Sequence, residues 1–229
     1  MNVLAVGAHV FETLFLTGGT LARYSADGHA VAIAIICAPS AESLTAGETA
    51  LAWENEALRA ASLIGADVHH LRLDASSPAA GDGAAQSLLA EVIRETAPRV
   101  ILTHDPRDRC PEHVLTSELV FRCRPAASSR NGPSWLADPP NVIYADTMSG
   151  LGFEPEHFVD ITDVFATKRE MIACCQGEVE ESPNGPAAPW LHWLTVQSRY
   201  RGIQAGVGYA EAFRRPLVRG SISPARLLP

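Results

Sequence analysis

His9 and Glu12 stand three positions apart in the run Ala8-His9-Val10-Phe11-Glu12, and His113 closes a second run, Cys110-Pro111-Glu112-His113. Two imidazoles and one carboxylate form a catalytic zinc set that leaves a coordination position open for water. The expected cofactor is therefore a single divalent metal, zinc, on His9, Glu12 and His113. Glu12 also reads as a carboxylate placed at a helix N-terminus, where the dipole favours it. A group to take the proton from that water is harder to find. Glu112 and Asp105 are the nearby carboxylates, and either could instead orient His113. Cys110 reads as a soft ligand, a nucleophile or an inert thiol. His104 sits either near a developing oxyanion or stacked against the sheet end. The adjacent Cys174-Cys175 reads as packing, and Asp160 and Asp163 as caps.

The surrounding pattern places these residues. Asn2 to Gly7 and Ala30 to Cys37 are apolar runs of the kind buried parallel strands show. Between them Leu14, Leu16, Leu21 and Tyr24 run through a helix that ends near Asp27-Gly28. Helices are expected from Gly47 to Ile64 and from Ala84 to Thr96, with a weaker strand over Val68–Leu73 and a fourth over Val100–Thr103. The alternation predicts a three-layer α/β domain with a mostly parallel sheet. Asn2–Gly7, Ala30–Cys37 and Val100–Thr103 should be neighbouring central strands. Both candidate metal runs then fall at carboxyl ends of strands, where open α/β sheets carry their ligand crevices.

Past the fourth strand the pattern loosens. Pro125 to Pro140 reads as a surface loop, and short strands follow at Val142–Ala145 and His157–Ile161. Thr162-Asp163 is expected to cap a helix from Val164 to about Cys175. Residues 178–193 read as a mobile loop, and the chain from about 214 as a basic tail or an oligomer contact. Trp53, Trp135 and the Trp190–Trp193 segment should border the mouth of the crevice.

At 229 residues the chain suits one α/β domain over its whole length, 1–229, with a sizeable core. Its formal charge of −8 opposes binding to nucleic acid or anionic membranes. No apolar run reaches the roughly 18 residues that span a bilayer. No basic stretch precedes Asn2–Gly7, which is therefore expected to be a strand and not a signal peptide. Five cysteines, an odd number, suit a reducing cytoplasm better than a disulfide framework. The expected partner is a small-molecule substrate, with a homo-oligomer compatible with the tail.

These residues resemble the LmbE/PIG-L family of metal-dependent de-N-acetylases and amidases acting on N-acyl amino sugars and related conjugates. The resemblance runs from Ala8-His9 through Gly18-Gly19-Thr20-Leu21-Ala22-Arg23, Gly28-His29 and Glu56-Ala57-Leu58-Arg59-Ala60-Ala61. It continues in Thr103-His104-Asp105-Pro106, Pro111 and His113, then Phe158 to Asp163, Lys168 and Tyr209-Ala210-Glu211-Ala212-Phe213. It implies a Rossmann-like sheet and one divalent metal, usually zinc.

The departures cluster at the site. The family's first motif usually reads Ala-His-Pro-Asp-Asp, with His and the second Asp as ligands and the first Asp as general base. Here Glu12 replaces the ligand Asp and Phe11 replaces the base. The second motif is usually His-Pro-Asp-His, and Cys110 and Glu112 stand at its first and third positions. Trp53 replaces a common Arg, and Cys175 a late His. The resemblance implies amide hydrolysis on a small polar N-acyl or amino-sugar-type molecule, with Glu112 or Asp105 as base and Cys110 or His104 near the oxyanion. Phe11, Trp53 and Trp190 would line the substrate side of the crevice. The alternative is a diverged non-deacetylase of specialised metabolism, either a non-hydrolytic enzyme or a small-molecule-binding pseudoenzyme, using the same crevice.

Overall fold

Residues 1–38, 50–73, 83–127, 139–175 and 190–216 are described in the computed structural model. Three strands form the centre: β1 (Asn2–Gly7), β2 (Ala30–Cys37) and β4 (Val100–Thr103), with β1 paired in parallel to both of the others. They are the neighbouring central strands expected from their unbroken apolar runs. β3 (Asp67–Leu73) extends the sheet beyond β2, and β5 (Asn141–Ala145) beyond β4, both in parallel. β7 (Ala210–Arg214) then runs antiparallel between β5 and β6 (His157–Asp160), giving the order β3-β2-β1-β4-β5-β7-β6.

Side chains alternate across this sheet and feed two cores. Val3, Ala5, Val31, Ile33, Val100 and Leu102 face one, beneath α1 (Val10–Ala26), α2 (Ala50–Ser62), α5 (Phe165–Ala173) and α6 (Trp190–Ala205). Leu4, Val6, Ala32, Ala34 and Ile101 face the other, beneath α3 (Gly83–Thr96) and α4 (Pro111–Ala127). Two cores on one sheet make the three layers of an α/β fold.

α1 is buried on nearly every side, because β7 and the turn after β6 press on its outer face. Glycine is required there. A Cβ on Gly19 would lie 2.8 Å from two carbons of Ile161. The freed backbone is used, since the N–H groups of Gly19 and Thr20 donate to Glu211 at 2.8 Å each. Glu211 also pairs with buried Lys168 at 2.7 Å. Gly18-Gly19-Thr20, Lys168 and Glu211, scattered along the sequence, thus form one buried scaffold joint.

Some expectations change. Thr162 and Asp163 do not cap a helix: they lie in a 3-10 turn (Thr162–Val164), and α5 starts at Phe165 without a side-chain cap. The carboxylate of Asp160 instead accepts from the N–H and hydroxyl of Thr162, which stabilises the turn itself. Trp190–Trp193, expected within a mobile loop, open the 16-residue helix α6. Arg214, where the tail was expected to begin, is the last residue of the buried inner strand β7. Helix α4 takes in Pro125, while 128–138 of the expected loop, with Trp135, lie outside the described residues, as do Gly47, 178–189 and the tail from 217. No helix among the described residues is long and apolar enough to cross a membrane.

Candidate metal centre

β1 delivers the first ligand candidates. A Cβ on Gly7 would fall 1.7 Å from the Thr13 hydroxyl, so the strand can turn into α1 here only through glycine. His9 occupies the N-cap position in extended conformation (φ −127°, ψ 159°) and makes no side-chain cap bond. Its imidazole is therefore left for other work. Glu12, one turn on, lies on the same helix face. β4 delivers the partner: its carboxyl end leads through 104–110 to His113 in the first turn of α4.

The three converge. His9 Nδ1 is 3.6 Å from Glu12 Oε2, and His113 Nε2 is 4.0 Å from Glu12 Oε1. One donor atom from each lies within 4.8 Å of the others. Glu12 Oε2 and His113 Nε2 are buried with no hydrogen-bond partner among the described residues. Buried polar atoms without partners are costly, so two of them within one cluster of three donors fit a cation among the three. Zinc bonds of about 2.0–2.2 Å place tetrahedral donors roughly 3.3–3.6 Å apart, so small side-chain shifts close this set. The residues fit the metal.

Sequence reasoning missed the residue that orients His113. Asp108 Oδ2 lies 3.1 Å from His113 Nδ1, forming the carboxylate–histidine pair that directs the opposite nitrogen to a metal. Asp108 Oδ1 accepts from the N–H of Cys110 at 3.1 Å, which holds the carboxylate in place. Burial works against charge on His113, but the bond from Asp108, with Cys110 and Glu12 nearby, raises its pKa to about 10. The available signal was an acid in a turn-forming run five residues before a ligand histidine.

His104 forms a shelf. Its ring stacks on that of His113 with centroids 3.9 Å apart and planes 2° from parallel. Its Nε2 accepts from the N–H of Ala8 at 3.0 Å, so that nitrogen carries no proton to donate. Burial, then the charges of His113 and His9, push its pKa well below the ordinary value. His104, Asp108 and His113 also cluster closely enough to ligate, but His104 Nε2 is taken by Ala8 and His113 Nδ1 by Asp108.

Asp105 is not placed as a base. Its buried carboxylate pairs through both oxygens with Arg214, and Oδ1 also accepts from the N–H of Arg107. That leaves Glu112. The Cys110 thiol donates to its Oε2 at 2.9 Å. That bond, then the charges of His9 and His113, hold its pKa below the ordinary value despite burial, so Glu112 is ionised at neutral pH.

Phe11 is buried, 5.8 Å from the ring of Phe15 and edge-to-face with Trp190 at 5.2 Å. Trp190 meets Trp193 at 5.0 Å. An aromatic wall thus runs from the residue beside Glu12 to the surface. Trp53 is half-buried with its indole N–H unpartnered among the described residues, and no ring contact joins it to that wall.

Comparison with known proteins gives the fold and the family. At the sequence level the chain is similar to the 4-oxalmesaconate hydratase of Pseudomonas putida, with 26% identity over 223 residues, 89% of this chain and 81% of that one. Its fold is similar to a conserved protein of Thermus thermophilus (TM-score 0.80, 24% identity, 99% and 100% of the two chains). It is also similar to the 4-carboxy-2-hydroxymuconate hydratase of P. putida (0.81, 24%, 98% and 100%). The N,N'-diacetylchitobiose deacetylase of Pyrococcus horikoshii shares the fold too (0.76, 22%, 93% and 82%). The model of the PIG-L family, GlcNAc-PI de-N-acetylase, matches residues 4–123, from β1 through the Asp108–His113 run into α4. With more than half of its length matched, and the strand ends that carry His9, Glu12 and His113 inside the match, the chain belongs to the PIG-L family.

Proposed function

We propose that this chain is a metal-dependent enzyme that directs water at an electrophilic carbon of a small polar molecule. One observation carries the reading: Glu12 Oε2 and His113 Nε2 are buried and unpartnered among the described residues, with Oε2 3.6 Å from His9 Nδ1 and Nε2 4.0 Å from Glu12 Oε1. His9, Glu12 and His113 would hold a divalent ion such as zinc, which would supply Lewis acidity and make water a nucleophile near neutral pH. The chain's own groups do the rest. Asp108 fixes His113 through Nδ1, and the stacked His104 keeps its ring from turning. Glu112, ionised and with Oε1 not engaged by Cys110, accepts the proton from water and returns it to the product.

Within that chemistry, addition of water across a conjugated carbon–carbon double bond suits the site better than de-N-acetylation. The position of the family's base holds Phe11, turned into an aromatic wall, and Cys110 replaces a proton-donating histidine. The similarity to the 4-oxalmesaconate hydratase, over most of both chains, supports the same reading. Amide hydrolysis of a small N-acyl molecule is the second reading, favoured by the family match and the ligand set. Zinc-loaded protein should bleach the ultraviolet absorbance of conjugated unsaturated oxo acids and release little amine from N-acetylglucosamine conjugates. Fast amine release with no bleaching would reverse the order of the two readings, and failure to take up stoichiometric metal would remove both.

A further inference from the structure

The aromatic wall beside the metal set contains a polar atom that nothing satisfies. Trp190 Nε1 is buried and has no hydrogen-bond partner among the described residues. An indole nitrogen only donates, and a buried one normally finds an acceptor. Left unpaired, it has given up its bonds to water without return. The ring is held where it is. Phe11 packs edge-to-face on it at 5.2 Å and Trp193 does so at 5.0 Å, so both contacts must break before the N–H can swing out to water. The inner members of the wall, Phe11 and Phe15, are buried and offer no acceptor.

Two further observations say which acceptor fits. Phe11 precedes Glu12 in the first turn of α1, so the wall starts one residue from a metal-ligand candidate. Trp190 also opens α6, a helix of 16 residues with no acidic residue in its first turn. Helical side chains lean toward the amino end, so the indole overhangs a positive helix pole that no acid in that turn compensates. An anionic oxygen suits both the N–H and the pole.

Resting on the hydration reading above, we infer that Trp190 is a specificity-determining residue: its indole N–H donates to a carboxylate oxygen of the substrate, at the end of the molecule away from the metal. The flat, unsaturated part of the substrate lies along the wall between the two. Trp190 touches no reacting atom. Its bond is as strong in the bound substrate as in the transition state, so it sets KM and leaves kcat alone.

Nitrogen-15 NMR of the indole groups tests this on the full chain supplied with zinc, with trans,trans-muconate, a flat conjugated diacid, as the probe. The four tryptophans give four indole signals, and Trp190→Phe identifies one by its loss. Should that variant not fold, contacts to the Phe11 and Trp193 rings identify the signal in the wild type. Muconate should move it downfield and slow its exchange with deuterated water. Trp190→Phe should bind muconate about 10–100-fold more weakly, the loss expected for a hydrogen bond to a charged group. For any unsaturated acid that is hydrated, KM should rise by a similar factor at unchanged kcat. Muconate that binds and moves the signal without being hydrated would support the role of Trp190 while counting against hydration. The inference is overturned by a Trp190 signal that stays in place at saturating muconate, by no binding at millimolar muconate, or by equal affinity for its neutral diamide.

Discussion

Asp108 is the residue whose role geometry alone reveals. The spacing of His9, Glu12 and His113 was legible because strand-to-helix turns place such runs at one sheet edge. Asp108 lies in an aperiodic loop, so its contact with His113 has no pattern to announce it. Asp105 misled for the opposite reason: its partner, Arg214, lies 109 positions away, beyond any local reading. Replacing Asp108 with Asn should weaken metal binding about 10–100-fold, measured by competition with a chromophoric chelator. The same change should flatten a pH effect. In the metal-free protein His113 has its pKa raised to about 10, so its contribution to stability is complete below its unfolded value near 6.5. That contribution fades as pH rises from there through 10. The melting temperature of the metal-free wild type should fall across this window, and that of Asp108→Asn should fall less. Equal slopes would assign the raised pKa to Cys110 and Glu12 instead.

Among the elements, those that read poorly are those with charge inside or apolar groups outside. β7 carries Glu211 and Arg214 in a fully buried run, because Lys168 from α5 and Asp105 from the loop after β4 supply the opposite charges. Such a strand shows no clean alternation, so nothing local marks it as an inner strand. α6 buries Ser198, Arg201 and Gly202 beside Leu194 while Trp193, Val196, Tyr200 and Ile203 stand exposed, so it lacks the inward apolar stripe by which a surface helix is read. β1, β2 and β4, apolar throughout and covered on both faces, were legible for the same physical reason. The buried joint gives a test at this scale. Glu211→Gln leaves Lys168 as an uncompensated cation and weakens the acceptor for Gly19 and Thr20, which should cost about 3–5 kcal/mol. Adding Lys168→Met should recover much of the loss, read from denaturant midpoints. A Glu211→Gln protein of wild-type stability would mean that Lys168 finds water in place of the carboxylate.

For the whole molecule, the metal set is also a clip. His9 and Glu12 belong to the helix that leaves β1, and His113 to the helix that leaves β4, the strand beside it. α1 faces one core and α4 the other, so an ion held by all three residues ties the two outer layers together across the sheet edge. A ligand that binds only the folded chain stabilises it by about 2.7 kcal/mol when its free concentration is 100 times its Kd. At this chain length each kcal/mol moves the melting temperature by about 2–4 °C, so chelation should lower it by roughly 5–10 °C. The effect should return on adding zinc and vanish in Glu12→Gln, which keeps the side-chain volume but removes the charged donor. His104→Gln, outside the ligand set, should be less stable in both states yet still respond to zinc. A chelator shift that persists in Glu12→Gln would place the stabilising ion elsewhere in the molecule, and the cluster of His104, Asp108 and His113 would be the next to vary.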